Sequence, residues 1–197
     1  NARQLPLRSM DGSIFDYTFE YDRNGNTTSI RNAFAPAQGY GGNRDMGYDG
    51  LDRLTYAHLH YSMIDWWTYD VQDNFVLNTH FNGYDTSERN YVYDANNRLT
   101  NILNSGGASV VGLGYDPQGN LQNKNGQGYD FDYGNRLRQV SGKEHYRYDG
   151  HGRRVQTTSL TTGRHQLWQY GQTGQMLFWW EGNGSEKTRS MCTWAGA

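Results

Sequence analysis

A Tyr-Asp pair recurs along this chain, followed each time by a short run of turn-forming residues. Repetition of this kind constrains the fold more than anything else in the sequence. Each copy must be one supersecondary unit that buries its surface by stacking on its neighbours. The full copies are Tyr21-Asp22-Arg23-Asn24-Gly25-Asn26-Thr27, Tyr48-Asp49-Gly50-Leu51-Asp52-Arg53-Leu54, Tyr69-Asp70-Val71-Gln72-Asp73-Asn74-Phe75, Tyr93-Asp94-Ala95-Asn96-Asn97-Arg98-Leu99, Tyr115-Asp116-Pro117-Gln118-Gly119-Asn120-Leu121 and Tyr148-Asp149-Gly150-His151-Gly152-Arg153-Arg154. Two further copies are imperfect. Tyr133-Gly134-Asn135-Arg136-Leu137 reads as having lost two turn residues, and Tyr170-Gly171-Gln172-Thr173-Gly174-Gln175-Met176 lacks the Asp. Successive tyrosines lie 27, 21, 24, 22, 18, 15 and 22 residues apart, so the variation falls in the connections.

Each copy reads as a β-hairpin. The incoming segments Phe19-Glu20-Tyr21, Tyr91-Val92-Tyr93 and Tyr146-Arg147-Tyr148 alternate, and residues two apart share one face of a strand. The Asp opens the turn by accepting from backbone N–H groups just downstream. Four residues after Tyr stands Gly25, Asp52, Asp73, Asn97, Gly119, Gly152 or Gly174, the types that tolerate a left-handed backbone. A hairpin loop of this length closes through one such residue. The outgoing strand then starts with Arg, Asn or Gln and an apolar residue, as in Arg53-Leu54, Asn74-Phe75, Arg98-Leu99 and Asn120-Leu121. Stacked hairpins would bring Arg53, Arg98 and Arg153 over the tyrosine of the adjacent copy. Helical periodicity is absent beyond two turns; Ser62 to Asp70 fits a helix but also a strand entering the third copy, and the strand is preferred.

Composition agrees. Leu, Ile, Val and Phe make up only 32 of 197 residues, whereas Tyr contributes 16 and Trp 6, so the apolar surface is aromatic. Gly at 25 and Asn at 18 supply many turns. A formal net charge of -2 argues against a dedicated nucleic-acid binder. No run approaches the length of a membrane-spanning helix. Cys192, the single cysteine, permits neither an internal disulfide nor a zinc site built on several cysteines. These features predict an all-β fold of repeated antiparallel hairpins, about fourteen to eighteen strands, in a curled sheet.

At the Tyr-Asp copies between Phe19 and Phe178 the chain resembles the YD-repeat, or Rhs-repeat, family. The family's loose pattern is a strand, then Tyr-Asp-x-x-Gly-Arg/Asn-Leu, then another strand. The resemblance implies a spiral β-sheet closed into a hollow shell. In bacterial toxin complexes such a shell surrounds a toxic domain, and in teneurin-type proteins a related shell serves adhesion. It therefore implies a single repeat region over residues 1–197, part of a secreted or surface protein, with an enclosed toxin as possible cargo. Family shells are several times longer than this chain. The family's self-cleavage segment has paired Asp-Pro motifs, whereas the lone Asp116-Pro117 here sits in an ordinary repeat, so no cleavage is expected there. Residues 185–197 are atypical: Met191-Cys192-Thr193-Trp194-Ala195-Gly196-Ala197 stands where family members run Tyr-x-Tyr-Leu-Gly-Gly, as a truncated or frame-shifted gene would give.

Candidate chemistry is sparse. His58 and His60, with His80 or an Asp as third ligand, have the residue types of a zinc or copper site, but polar strand positions explain them. The Asp-Asn turns lack the bidentate carboxylate a calcium loop needs. Ser, His and Asp occur without a nucleophile elbow, and Cys192 with His165 forms no convincing pair. No metal, cofactor or catalytic residue is expected. Trp66, Trp67, Trp179 and Trp180 are the remaining signal: neighbours alternate faces, so one of each pair points away from the other. They are candidates for an interface or a sugar platform. End strands of a repeat array carry unpaired backbone groups, which predicts self-association or further repeat chain as partner. The expected role is a non-catalytic wall segment; the alternative is a carbohydrate-binding or adhesion module using exposed Trp and Tyr.

Overall fold

The computed structural model describes residues 4–34, 42–59, 63–183 and 186–192, the last by strand path alone. All regular structure is β, and eighteen strands occur among the described residues. They gather into two units, residues 1–110 and 111–197.

The first unit holds β1 (Arg8–Asp11), β2 (Phe15–Tyr21), β3 (Thr27–Asn32), β4 (Arg44–Tyr48), β5 (Leu54–Leu59), β6 (Met63–Tyr69), β7 (Phe75–Phe81), β8 (Thr86–Tyr93) and β9 (Leu99–Leu103). Each strand pairs antiparallel with the next in sequence. The ambiguous Ser62–Asp70 segment is thus strand β6, although Ser62 itself lies outside the described residues. The second unit holds most of β10 (Ser109–Tyr115), then β11 (Leu121–Lys124), β12 (Gln127–Phe131), β13 (Leu137–Val140), β14 (Glu144–Tyr148), β15 (Arg154–Ser159), β16 (Arg164–Tyr170), β17 (Met176–Asn183) and β18 (Glu186–Cys192). These also meander antiparallel.

The hairpins share one register. In eight of them the pairing slips just before the last residue of the incoming strand, at Glu20/Tyr21, Gly47/Tyr48, Thr68/Tyr69, Val92/Tyr93, Gly114/Tyr115, Asp130/Phe131, Arg147/Tyr148 and Gln169/Tyr170. Such a bulge accompanies a loop closed by one left-handed residue. That residue carries φ of 100° at Gly25, 88° at Gly119 and 80° at Gly152, and 57–66° at Asp52, Asp73, Asn97 and Asn135.

The register corrects one copy. The turn after β12 is not a shortened Tyr133 repeat; it is a full-length one with Phe131 in the tyrosine place and Asp132 in the aspartate place. The Asp132 N–H donates to the Arg136 carbonyl at 3.0 Å, and Tyr133 is 98% exposed at the loop tip. A second departure lies on the opposite rim of the first unit. Asn104 to Ala108 reproduces the same loop, with Asn104 accepting from Ala108 N–H at 2.9 Å and Gly107 at φ 79°, though no Tyr-Asp marks it.

Neither unit has a thick core. Among the described residues no large side chain is fully buried, and Tyr146, at 7% exposure, is the one buried large apolar residue. The strands therefore hold together by backbone pairing, half-covered aromatic rows and the bonds at the turns.

Candidate functional site

The residues singled out by the repeat converge on one rim of each unit, where the turns form a ladder. Within a turn, the Asp carboxylate does most of the holding. At Asp22 one oxygen accepts from the N–H groups of Asn24, Gly25 and Asn26 at 2.8–2.9 Å. The other accepts from the Asn26 amide at 2.9 Å. Asp70 and Asp116 are held likewise by Asn74 and Asn120. At Asp49, Asp94, Asp132 and Asp149 an arginine replaces the Asn, its Nε donating at 2.7–2.9 Å. Satisfying backbone N–H groups this way is the reason a short polar acid stands at this place.

The same residue then reaches the neighbouring hairpin. The Asn24 and Asn26 amides both donate to Asp52 at 2.7 Å. Arg53 donates to the Asp70 carbonyl at 2.9 Å and to the Asp73 carboxylate at 2.7 Å. Asn74 donates to Asn97 at 2.5 Å, Asn120 to Asn135 at 2.9 Å, and Arg153 to the Gly171 carbonyl at 2.9 Å. The guanidinium groups of Arg53, Arg136 and Arg153 also lie over the rings of Tyr69, Tyr148 and Tyr170, at 4.6, 5.5 and 5.1 Å. At Asp52, Asp73, Asn97 and Asn135 the left-handed residue of one turn is thus the docking point for the arm of the turn before it.

Tyrosine completes the link. The hydroxyls of Tyr21, Tyr48, Tyr69 and Tyr148 donate to the carbonyls of Pro6, Thr27, Leu54 and Leu137 at 2.7–3.0 Å. In the last three, the acceptor is the first residue of the preceding outgoing strand, fixed by the shared register. Tyr93 and Tyr115 occupy the equivalent place, half-buried after their bulges.

Electrostatics follow from these bonds. The carboxyls of Asp22, Asp70 and Asp116 are held below the usual range, first by the facing Asn amide, and that of Asp94 first by the Arg98 N–H. At Asp49, Asp132 and Asp149 burial pulls upward but is outweighed by the N–H donors and the arginine, so these too are lowered. Burial raises the phenols of Tyr48, Tyr69 and Tyr93. Each carboxylate is saturated by structural donors, which suits it to holding the turn and not to proton transfer.

The tryptophans split between faces. Trp66 stands opposite Tyr56 and Thr79, whereas Trp67 stands opposite Asn78. Trp66 is 42% exposed, and the Tyr56 ring beside it drapes over Gly47, where an added Cβ would fall 2.1 Å from the ring. Trp179 pairs with Trp168 and Trp180 with Leu167, on opposite faces of β17.

The candidate histidines fall at separate places. His58 is half-buried opposite Ile64 and Asp45, and His60 lies outside the described residues. His80 Nδ1 meets Asp65 at 2.9 Å. Among the described residues no cluster of three metal-ligating side chains occurs. Asp65, His80 and Ser87 do line up across β6, β7 and β8, a juxtaposition invisible in sequence order. Among the described residues no hydrogen bond joins Ser87 to His80, whose partner is Asp65. His165 binds Thr158 at 3.1 Å; the Cys192 side chain and residues 193–197 lie outside the description. Among the described residues no helix is long and apolar enough to cross a membrane.

No family model matches the chain, and no curated protein does. Solved structures do resemble it. The crystal structure of TcdB2-TccC3-Cdc42 is 15% identical over 90% of this chain and 10% of that one, with a TM-score of 0.50. A Photorhabdus luminescens Tc holotoxin pore bearing a TccC3 point mutation is 15% identical over 93% of this chain and 12% of that one, also at 0.50. The chain spans about a tenth of the length of these structures. At such identity the likeness establishes the fold: antiparallel β-hairpins of the kind these toxin-complex chains contain.

Proposed function

We propose that this chain is a non-catalytic wall segment of a secreted or surface Rhs-type protein, whose β-sheet encloses a toxin passenger or builds an extracellular scaffold. The observation that carries this reading is the ladder. In the copies that carry them, the Asp holds its own turn, the Asn or Arg reaches the next hairpin, and the hydroxyls of Tyr21, Tyr48, Tyr69 and Tyr148 tie strand to strand, so the acids that might have served chemistry are occupied by structural donors. The fold likeness to toxin-complex structures supports the same reading. A single-layer sheet with few buried side chains is suited to a barrier with two working faces, one toward solvent and one toward contents. The mechanism of this reading is steric: a closed sheet of continuously paired strands would keep a protease from the passenger. Wherever a repeat array ends on an unpaired strand edge, further repeat chain, in cis or as a second copy, is its natural partner.

Protection is the test. A trypsin-sensitive passenger fused behind the complete repeat region should survive digestion that degrades the free passenger. Equal digestion rates would remove the enclosure role and leave only the scaffold.

A further inference from the structure

Away from the ladder, one face of the second unit is well covered. There Tyr146 and Thr157, at 7% and 8% exposure, form a floor between β14 and β15. Pairing places Glu144 and Tyr146, Thr157 and Ser159, Gln166 and Trp168, and Trp179 and Glu181 on one face of four adjacent strands. Two adjoining clefts open above them. One, of about 340 Å³, is lined by Glu144, Arg154, Thr157, Gln166, Trp168 and Tyr170. The other, of about 220 Å³, shares Glu144, Thr157 and Gln166 and adds Ser159 and Glu181.

The chemistry of this lining is specific. Trp168 and Tyr170 supply flat apolar walls. Around them stand carboxylate acceptors, a guanidinium donor, a hydroxyl and an amide that does both. Arg154 is held over the Tyr146 ring at 4.2 Å, and Glu144 accepts from the Tyr146 hydroxyl, so both are positioned in advance. The Gln166 amide is fixed by Glu181 at 3.3 Å, and Arg164 faces Glu181 at 3.8 Å. Two acids and two arginines balance to zero, which disfavours a strongly charged ligand: a cation drawn to Glu144 meets Arg154 across the same cleft. A ring with one apolar face and a rim of neutral hydroxyls satisfies every group present.

The geometry points to a saccharide-binding site on this face, with a neutral pyranose ring stacked on Trp168 and its hydroxyls held by Glu144, Arg154, Thr157 and Gln166. The site meets the turn ladder only at Tyr170 and stands whether or not the chain encloses a passenger.

The whole chain would be titrated with glucose, galactose, mannose, N-acetylglucosamine and their linear oligomers, read by tryptophan fluorescence and saturation-transfer NMR. Heparin and an oligolysine peptide serve as charged arms. At least one neutral sugar should bind saturably and without salt dependence. Trp168→Ala should weaken it about three- to tenfold, and Glu144→Gln about tenfold, the Gln still able to accept from Tyr146. Trp66→Ala, in the other unit, should leave binding unchanged. Because Trp168→Ala removes packing, Trp168→Phe, which keeps a ring, should bind more tightly than the Ala variant. The inference is overturned if no neutral sugar saturates, if Glu144→Gln and Trp168→Ala bind as the parent does, or if only heparin or oligolysine binds.

Discussion

Replacing Tyr69 by Phe isolates the smallest link between two hairpins. The substitution deletes one hydroxyl, which donates to the Leu54 carbonyl at 2.7 Å. The ring remains, so the Arg53 guanidinium at 4.6 Å and the Phe75 ring at 5.1 Å keep their partner. The expected loss is one net hydrogen bond, about 0.5–1.5 kcal/mol. For a cooperative unit of roughly a hundred residues this lowers Tm by about 4–8 °C per kcal/mol. Tyr48→Phe and Tyr148→Phe remove the same bond elsewhere and should cost the same. Tyr84, 92% exposed, is the control, and Tyr84→Phe should leave Tm unchanged. Calorimetry and urea titration read both. If Tyr69→Phe melts with Tyr84→Phe, the tyrosines are packing residues alone and the ladder argument fails.

The converse change should add a link: Phe131→Tyr places a hydroxyl where the register puts the Leu121 carbonyl, and Tm should rise, by about 1 kcal/mol of stability; an unchanged or lower Tm would contradict the shared register. At Gly119, φ of 88° with no atom within 4 Å of an added Cβ makes Gly119→Ala a purely conformational cost of about 1–2 kcal/mol. Gly150→Ala, equally open and not left-handed, should be neutral or slightly stabilising, and equal effects of the two in urea titration would refute the turn assignment. Carboxyls lowered in the folded chain stabilise it above the unfolded value near about 4 and lose that contribution as pH falls through the folded value. Circular dichroism should therefore show acid unfolding. An Asp94→Asn, Asp149→Asn variant should be less stable at neutral pH with a flatter acid dependence; a parallel curve would show that these acids do not set it.

Much of this was readable from the chain. Tyrosine-ended hairpins gave the all-β class because Asp, an αL-tolerant residue and an apolar restart recur in order, and each is a local property. Phe131 carries no such signal, because its copy lacks the Tyr-Asp pair and Tyr133 close by imitates one; the bulge at Asp130/Phe131 fixes the register. The Asn104 loop escaped because Asn caps as Asp does without the tyrosine. What no single copy could reveal is the reach of Arg53 to Asp73 or of Tyr69 to Leu54, since those depend on how one hairpin seats beside another. The cleft-bearing face of the second unit was hidden for the same reason: Glu144, Thr157, Gln166 and Glu181 are neighbours only once four strands align.

The two rims of the meander are built under different rules. One repeats a five-residue loop bonded to its neighbour, whereas the other ranges from the two-residue Asn125-Gly126 bend to longer connections. Growth, trimming or grafting of sequence is therefore cheap on the irregular side and disruptive on the regular one. A lineage can also gain or shed a complete hairpin, tyrosine to tyrosine, and leave the seams matching on either side, so such genes can vary in length by whole modules while their borders stay interchangeable.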